Sequence, residues 1–161
     1  MNESSFLPTD LPGAGQYLAN LPVRAPEPLC AALAAELAAD FEVDALLVFA
    51  RRCGARWAGD HLDGLAPVES MAGLIATLNA YWASLHWGWV AVEEHSDHLL
   101  LRHALLPLGR VYGAQQADWC RGFVEGFYET AFRWAGAEGT VQVRAVTDPQ
   151  DASGVQFEVT A

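Results

Sequence analysis

The chain has 161 residues, 52% of them apolar and only 18% charged, which sets aside a disordered chain and leaves room for one compact domain rather than two. Twenty acidic residues against nine basic ones give a formal net charge of −11, and every basic residue is an arginine. The lack of lysine excludes Schiff-base and P-loop-lysine mechanisms, and the acidic balance excludes the basic footprint on which nucleic-acid and anionic-membrane binding rest.

Residues 1–26 read as a separate N-terminal arm. Pro8, Pro12, Pro22 and Pro26, with Gly13 and Gly15, forbid a long helix or a central strand there, yet Phe6, Leu7, Leu11, Tyr17, Leu18 and Leu21 recur through it. Such a segment is expected to lie on a surface, either its own core or a neighbouring subunit. Residues 27–161 are expected to form a single α+β domain. The alanine-rich stretch Glu27 to Asp40, with Leu29, Leu33 and Leu37 four apart, predicts a helix. A second helix is predicted from Val43 to Trp57, with Leu46, Val48, Phe49 and Cys53 apolar and Arg51, Arg52 and Arg56 in its last turns. Ala58 to Ala66, holding Gly59, Asp60, Asp63 and Gly64, predicts a loop.

Pro67 to His86 carries the strongest helical stripe: Val68, Met71, Ile75, Leu78, Trp82 and Leu85, with Pro67 in the first turn. The period then changes to two. Trp87 to Glu94 and His98 to Leu106 flank His95-Ser96-Asp97 and predict a β-hairpin closed by Pro107 and Gly109. Helical spacing returns from Gln115 to Ala135 through Cys120, Val124, Phe127, Ala131 and Trp134. Two alternating runs, around Val141 to Val146 and Val155 to Thr160, predict a second hairpin. N-terminal helices, a β-hairpin, a long helix and another β-hairpin together predict an α+β fold with a mostly antiparallel sheet packed on helices.

Chemistry-bearing motifs are sparse. Cys30, Cys53 and Cys120 form no CxxC pair, and an odd number cannot close into a complete disulfide set, so buried thiols of a reducing compartment are expected. No basic residue precedes Arg24, so a charged secretory leader is not expected, and no uncharged apolar run approaches the roughly 20 residues of a membrane span. A cytoplasmic, non-membrane-spanning protein is the resulting expectation, with the periplasm as the alternative. His86, His95, His98 and His103, with Glu93, Glu94 and Asp97, suggest a metal site. Hairpin residues on opposite faces diverge, however, and the set lacks an HExxH or any other helical i,i+4 pair, so a solvated acidic turn is expected and no metal is assigned. Neither GxSxG nor SxxK occurs. Glu125 and Glu129, one helical turn apart, have the spacing for acid/base work, which is also common on solvated faces. Aromatic residues stand out more: Trp82, Trp87 and Trp89 bracket the junction of helix and hairpin, and Trp119, Phe123, Phe127, Tyr128, Phe132 and Trp134 crowd one helix. Such side chains serve cores and subunit interfaces alike, and at least one aromatic patch is expected at an interface.

Leu78-Asn79-Ala80 followed by His86-Trp87-Gly88-Trp89-Val90 resembles the helix-to-strand signature of the bacterial cellulose synthase D-subunit family. Trp119 through Glu125-Gly126-Phe127-Tyr128 to Trp134 resembles that family's later helix. The resemblance implies a non-catalytic accessory subunit without cofactors. It implies a ring-like homo-octamer built from dimers, associated with the cellulose synthase complex, that helps organise β-1,4-glucan export and crystallisation. In some systems a proline-rich scaffold protein is a further partner. Leu78, Asn79, Trp87, Gly88, Trp89, Glu125, Gly126, Tyr128 and Trp134 are then structural motif residues, with Asn79 expected to make a local buried hydrogen bond and the two glycines to allow close packing. Ser4, Ser5, Phe6, Gln16 and Tyr17 of the arm are candidate glucan or subunit contacts. A small-ligand or metal-binding sensor domain is the alternative reading.

Overall fold

The computed structural model of the protein describes residues 27–146 and 154–160. The arm, with Ser4, Ser5, Phe6, Gln16 and Tyr17, lies outside the described residues, as does most of the loop between the last two strands. The described chain forms helices α1 (Glu27–Asp40), α2 (Val43–Leu62) and α3 (Met71–Leu85), then strands β1 (Trp89–Glu94) and β2 (Leu99–Ala104). A short helix α4 (Leu108–Tyr112), a 3-10 turn (Ala114–Gln116), the long helix α5 (Ala117–Trp134) and strands β3 (Gln142–Ala145) and β4 (Val155–Thr160) complete it. The four strands form one antiparallel sheet in the order β1-β2-β4-β3, so the second hairpin adds to the outer side of the first. The α+β class and the element order agree with the sequence expectation.

Helix α5 is the centre of the molecule. Trp119, Phe123, Phe127, Tyr128 and Phe132 are all buried, as are Cys120, Val124 and Ala131 between them. A helix apolar on one stripe would bury only that stripe. This one is enclosed on several sides: Tyr128 meets Phe157 of β4 edge-on at 5.6 Å, Phe127 meets Trp82 and Tyr81 of α3, and Phe123 meets Trp57 of α2 at 5.1 Å. Most of the aromatic excess on α5 therefore sits within the chain's own core, with Trp134 half-buried at the end. Exposed large aromatics lie elsewhere, at Phe41, Phe49, Trp57 and Trp89.

Three boundaries depart from expectation. Helix α2 continues to Leu62 through the predicted loop, because Ala58 and Leu62 are sealed in the core while Trp57 and His61 lean on aromatic neighbours. That burial outweighs the roughly 1 kcal/mol a helical glycine costs at Gly59. Helix α3 starts four residues later than Pro67, since the Ser70 hydroxyl accepts from the Gly73 N–H at 3.1 Å and caps it. Helix α4 and the 3-10 turn have no counterpart in the predicted elements. Leu108 and Val111 bury one face of this short helix, and Gly113, at φ +92°, ends it.

Candidate functional site

The motif residues converge on the two edges of the sheet and on the seam between α2 and α5. On the β1 side, the Asn79 side chain reaches from α3 and grips the backbone of Val90: its amide oxygen accepts from the Val90 N–H at 2.6 Å and its nitrogen donates to the Val90 carbonyl at 3.0 Å. The bond is thus not local to the helix. It satisfies outward-facing polar groups of an edge strand at a residue whose side chain is buried. Leu78, beside it, is fully buried in the core. The chain leaves α3 through His86 in the left-handed conformation (φ 57°) and Gly88 at φ +88°. A Cβ on Gly88 would lie 1.8 Å from the Ala104 carbonyl oxygen, so only glycine fits where β1 joins β2. Trp87 is buried and stacked nearly parallel to Trp82 at 5.8 Å, whereas Trp89 points out to solvent.

Below that junction lies a buried polar chain. His103 of β2 is completely buried; its Nε2 donates to the Trp87 carbonyl at 2.7 Å and its Nδ1 accepts from the Tyr128 hydroxyl at 2.6 Å. A carbonyl can only accept, which fixes the proton on Nε2 and leaves Nδ1 as the acceptor. Burial pushes the imidazole down to about 4, with the Trp87 carbonyl opposing, so the ring is neutral. Burial likewise holds the Tyr128 phenol well above its ordinary range.

On the β3 side, the two carboxylates with acid/base spacing are occupied. Glu125 accepts from the Ala145 N–H at 2.9 Å and pairs with Arg51 at 2.7 Å. Glu129 accepts from the Val143 N–H at 3.2 Å and pairs with the same arginine, whose other nitrogen donates to the Val143 carbonyl at 2.9 Å. Arg51, Glu125 and Glu129 thereby tie α2, α5 and edge strand β3 into one clasp. The helices approach closely enough for this because the seam is glycine-lined: a Cβ on Gly126 would sit 2.0 Å from the Arg51 carbonyl oxygen, and one on Gly54 1.7 Å from that of Phe123. Both sheet edges thus carry side chains from helices in place of a neighbouring strand, which blunts them against edge-to-edge association.

The family model for the D subunit of cellulose synthase matches residues 16–160. The chain belongs to the cellulose synthase D-subunit family. Comparison with curated proteins returns no match. Every motif residue named above lies within the matched span, and so do Gln16 and Tyr17 of the arm; Ser4, Ser5 and Phe6 precede it. Membership of the D-subunit family gives the chain a role in cellulose synthesis.

The hairpin histidines form no built centre. His95 and His98 stack at 4.6 Å, and His98 bonds the exposed Asp97, which lowers that carboxyl's affinity for protons. Among the described residues no group of three or more His, Cys, Asp or Glu side chains could hold a metal ion, and none of the helices is long and apolar enough to cross a membrane. Cys120 is buried and its thiol is pushed up to about 12 by burial; Cys30 and Cys53 are half-buried and free.

A groove on the outer face of α2 is not legible in the sequence. Two adjoining hollows of about 510 and 650 Å³ run along the helix past Phe49, Cys53, Trp57 and His61, with Arg52, Arg56 and Asp60 as their charged lining. Trp57 rests edge-on against Phe123, and His61 lies over Tyr81 at 3.8 Å. Gly59, Asp60 and His61 of its lining belong to the stretch expected to be a loop, so a helical face could be drawn only as far as Trp57. Arg51 is legible as a helical cation, but its partners Glu125, Glu129 and Val143 lie 74 and more positions along the chain.

Proposed function

We propose that this chain is a non-catalytic accessory subunit that assembles into a ring-like homo-octamer built from dimers and helps organise β-1,4-glucan export and crystallisation at the cellulose synthase complex. Family membership carries the reading. Two features of the chain support it. Glu125 and Glu129, the carboxylate pair spaced for acid/base work, are bound to Arg51 and to the backbone of β3, which suits a structural role. Leu29, Leu33, Phe41, Val43 and Val48 are each more than half exposed on or beside α1 and the start of α2, an apolar surface suited to subunit contact. The arm residues Ser4, Ser5, Phe6, Gln16 and Tyr17 offer a neutral glucan hydroxyls, an amide and aromatic faces. Leu78, Asn79, Trp87, Gly88, Trp89, Glu125, Gly126, Tyr128 and Trp134 keep the domain in the shape the assembly needs. Three free thiols fit a cytoplasmic location, where the ring would act on the inner side of the synthase, with a proline-rich scaffold as a further partner. Light scattering coupled to size exclusion tests the assembly directly. A chain of 17.4 kDa gives about 139 kDa for eight copies, and a strictly monomeric mass at high micromolar concentration overturns the reading.

A further inference from the structure

The outer face of α2 carries its charges in a fixed order. Residues four apart lie one turn above each other on a helix, so Arg52, Arg56 and Asp60 share one face, with about 12 Å of axis between the first and the last. All three are exposed, and none of them forms an ion pair among the described residues. Beside them Phe49 and Trp57 are 47% and 38% exposed, and the two hollows run over these same residues.

From Arg52 to Asp60 the row runs plus, plus, minus; in the opposite direction it runs minus, plus, plus. A second copy laid antiparallel along it, on a two-fold axis beside Arg56 and Trp57, therefore sets Arg52 of each copy opposite Asp60 of the other. The two Arg56 side chains come together near the axis. Each has the other copy's Trp57 within reach, and a guanidinium is a planar cation that stacks on aromatic rings. A parallel copy would instead set Arg52 on Arg52 and Asp60 on Asp60, adding like-charge contacts between chains already at −11 each. Tryptophan and arginine are also the residue types that carry most energy at the buried centres of interfaces. A small anion or a polyanion matches this row poorly, because Asp60 stands in line with the arginines.

We infer that the outer face of α2 is a two-fold contact in which two copies of this chain pair their α2 helices antiparallel, with two Arg52–Asp60 ion pairs flanking a centre of Arg56 and Trp57. The inference rests on the proposed assembly and names the contact within its dimers. A ring built from dimers needs a second, different contact between them, and the exposed Leu29–Leu33 face of α1 is left for it.

Charge exchange tests the pairing in the full chain, with far-UV circular dichroism checking that each variant stays folded. Arg52→Glu sets a carboxylate opposite Asp60, and Asp60→Arg sets a guanidinium opposite Arg52. Each variant alone is expected to lose the contact, and its light-scattering mass to fall at least twofold from that of the unaltered chain. An equimolar mixture of the two variants places opposite charges at both ends again and is expected to recover the unaltered mass. Full mass in both single variants, or a mixture no heavier than its components, overturns the pairing and leaves the ring reading in place. A monomeric unaltered chain overturns both. An unaltered chain that is a dimer and no larger, split by each variant and rejoined in the mixture, upholds the pairing and overturns the ring. Cross-linking reads the axis independently. Arg56→Cys in a Cys30→Ser, Cys53→Ser background is expected to join two chains of 17.4 kDa on mild oxidation, doubling the mass on a non-reducing gel. Ala45→Cys in the same background, on the same face but about 16 Å along the helix from Arg56, is expected to stay single. A link at Ala45→Cys with none at Arg56→Cys overturns the antiparallel pairing.

Discussion

His103 couples the stability of the core to pH. It is neutral in the folded chain, held down to about 4 by burial, whereas an unfolded histidine takes up a proton near 6.5. The unfolded state therefore binds more protons below that value. The full contribution is present above about 6.5 and is lost as pH falls towards 4, with about 2 kcal/mol gone by about pH 5. Urea midpoints measured from about pH 7.5 down to about pH 5 should fall accordingly. His103→Gln, which keeps one donor for the Trp87 carbonyl and one acceptor for the Tyr128 hydroxyl, should flatten the slope. A midpoint that falls as steeply in the variant would place the titration elsewhere. Asn79 presents a different case at the same scale. Asn79→Ala strips both Val90 backbone groups of their partner and should cost about 2 to 3 kcal/mol in urea unfolding. Asn79→Asp keeps the acceptor but faces a carboxylate towards the Val90 carbonyl oxygen, so it should recover little of that loss.

At the scale of elements, α2 and α5 are joined at backbone distance, and glycines mark where. Gly126→Ala drives a methyl into the Arg51 carbonyl, which must part the helices and strain the clasp on β3; a loss of about 3 kcal/mol is expected. Gly59→Ala sits on the same helix as Arg51 yet meets nothing within 4 Å, and should gain about 0.5 to 1 kcal/mol from helix propensity alone. Thermal midpoints moving in opposite directions would confirm that α2 remains helical at Gly59. That pair also shows what was legible in the sequence. Period and composition locate α1, α3, α5 and both hairpins, because each buries a regular stripe or alternates across a sheet. They miss the end of α2, where Ala58 and Leu62 are held by tertiary burial that local propensity opposes, and they miss α4, too short to show a period. The site divides the same way. Gly88 and Gly126 read as close-packing positions from residue type, while the partners of Asn79 and Arg51 depend on which strands become edges, and those of His103 on how α5 packs on the sheet, long-range outcomes no local window contains.

At the scale of the whole molecule, the clasp and the Asn79 grip bear on where copies can meet. The outward N–H groups of Val90, Val143 and Ala145 are already bonded to side chains, so adding a strand at those points would first have to break hydrogen bonds. The helical face is open by comparison. Leu29 and Leu33, one turn apart on α1, are 55% and 56% exposed although α1 is short and alanine-rich, and Phe41, Val43 and Val48 continue the apolar surface towards α2. Covering such side chains contributes about 25 cal/mol per Å² of apolar area, and in the proposed ring each copy gains it at every interface the face makes. Leu29→Glu with Leu33→Glu replaces that gain by two carboxylates on a chain already at −11, so repulsion adds to the lost burial. Both positions face solvent within the single chain and glutamate is a good helix former, so far-UV circular dichroism should stay unchanged. For the proposed octamer, the light-scattering mass should then drop to that of a smaller species. Retention of the full mass with an intact spectrum would move the interface off α1 and onto the remaining exposed aromatics, Trp89 at the start of β1 foremost among them.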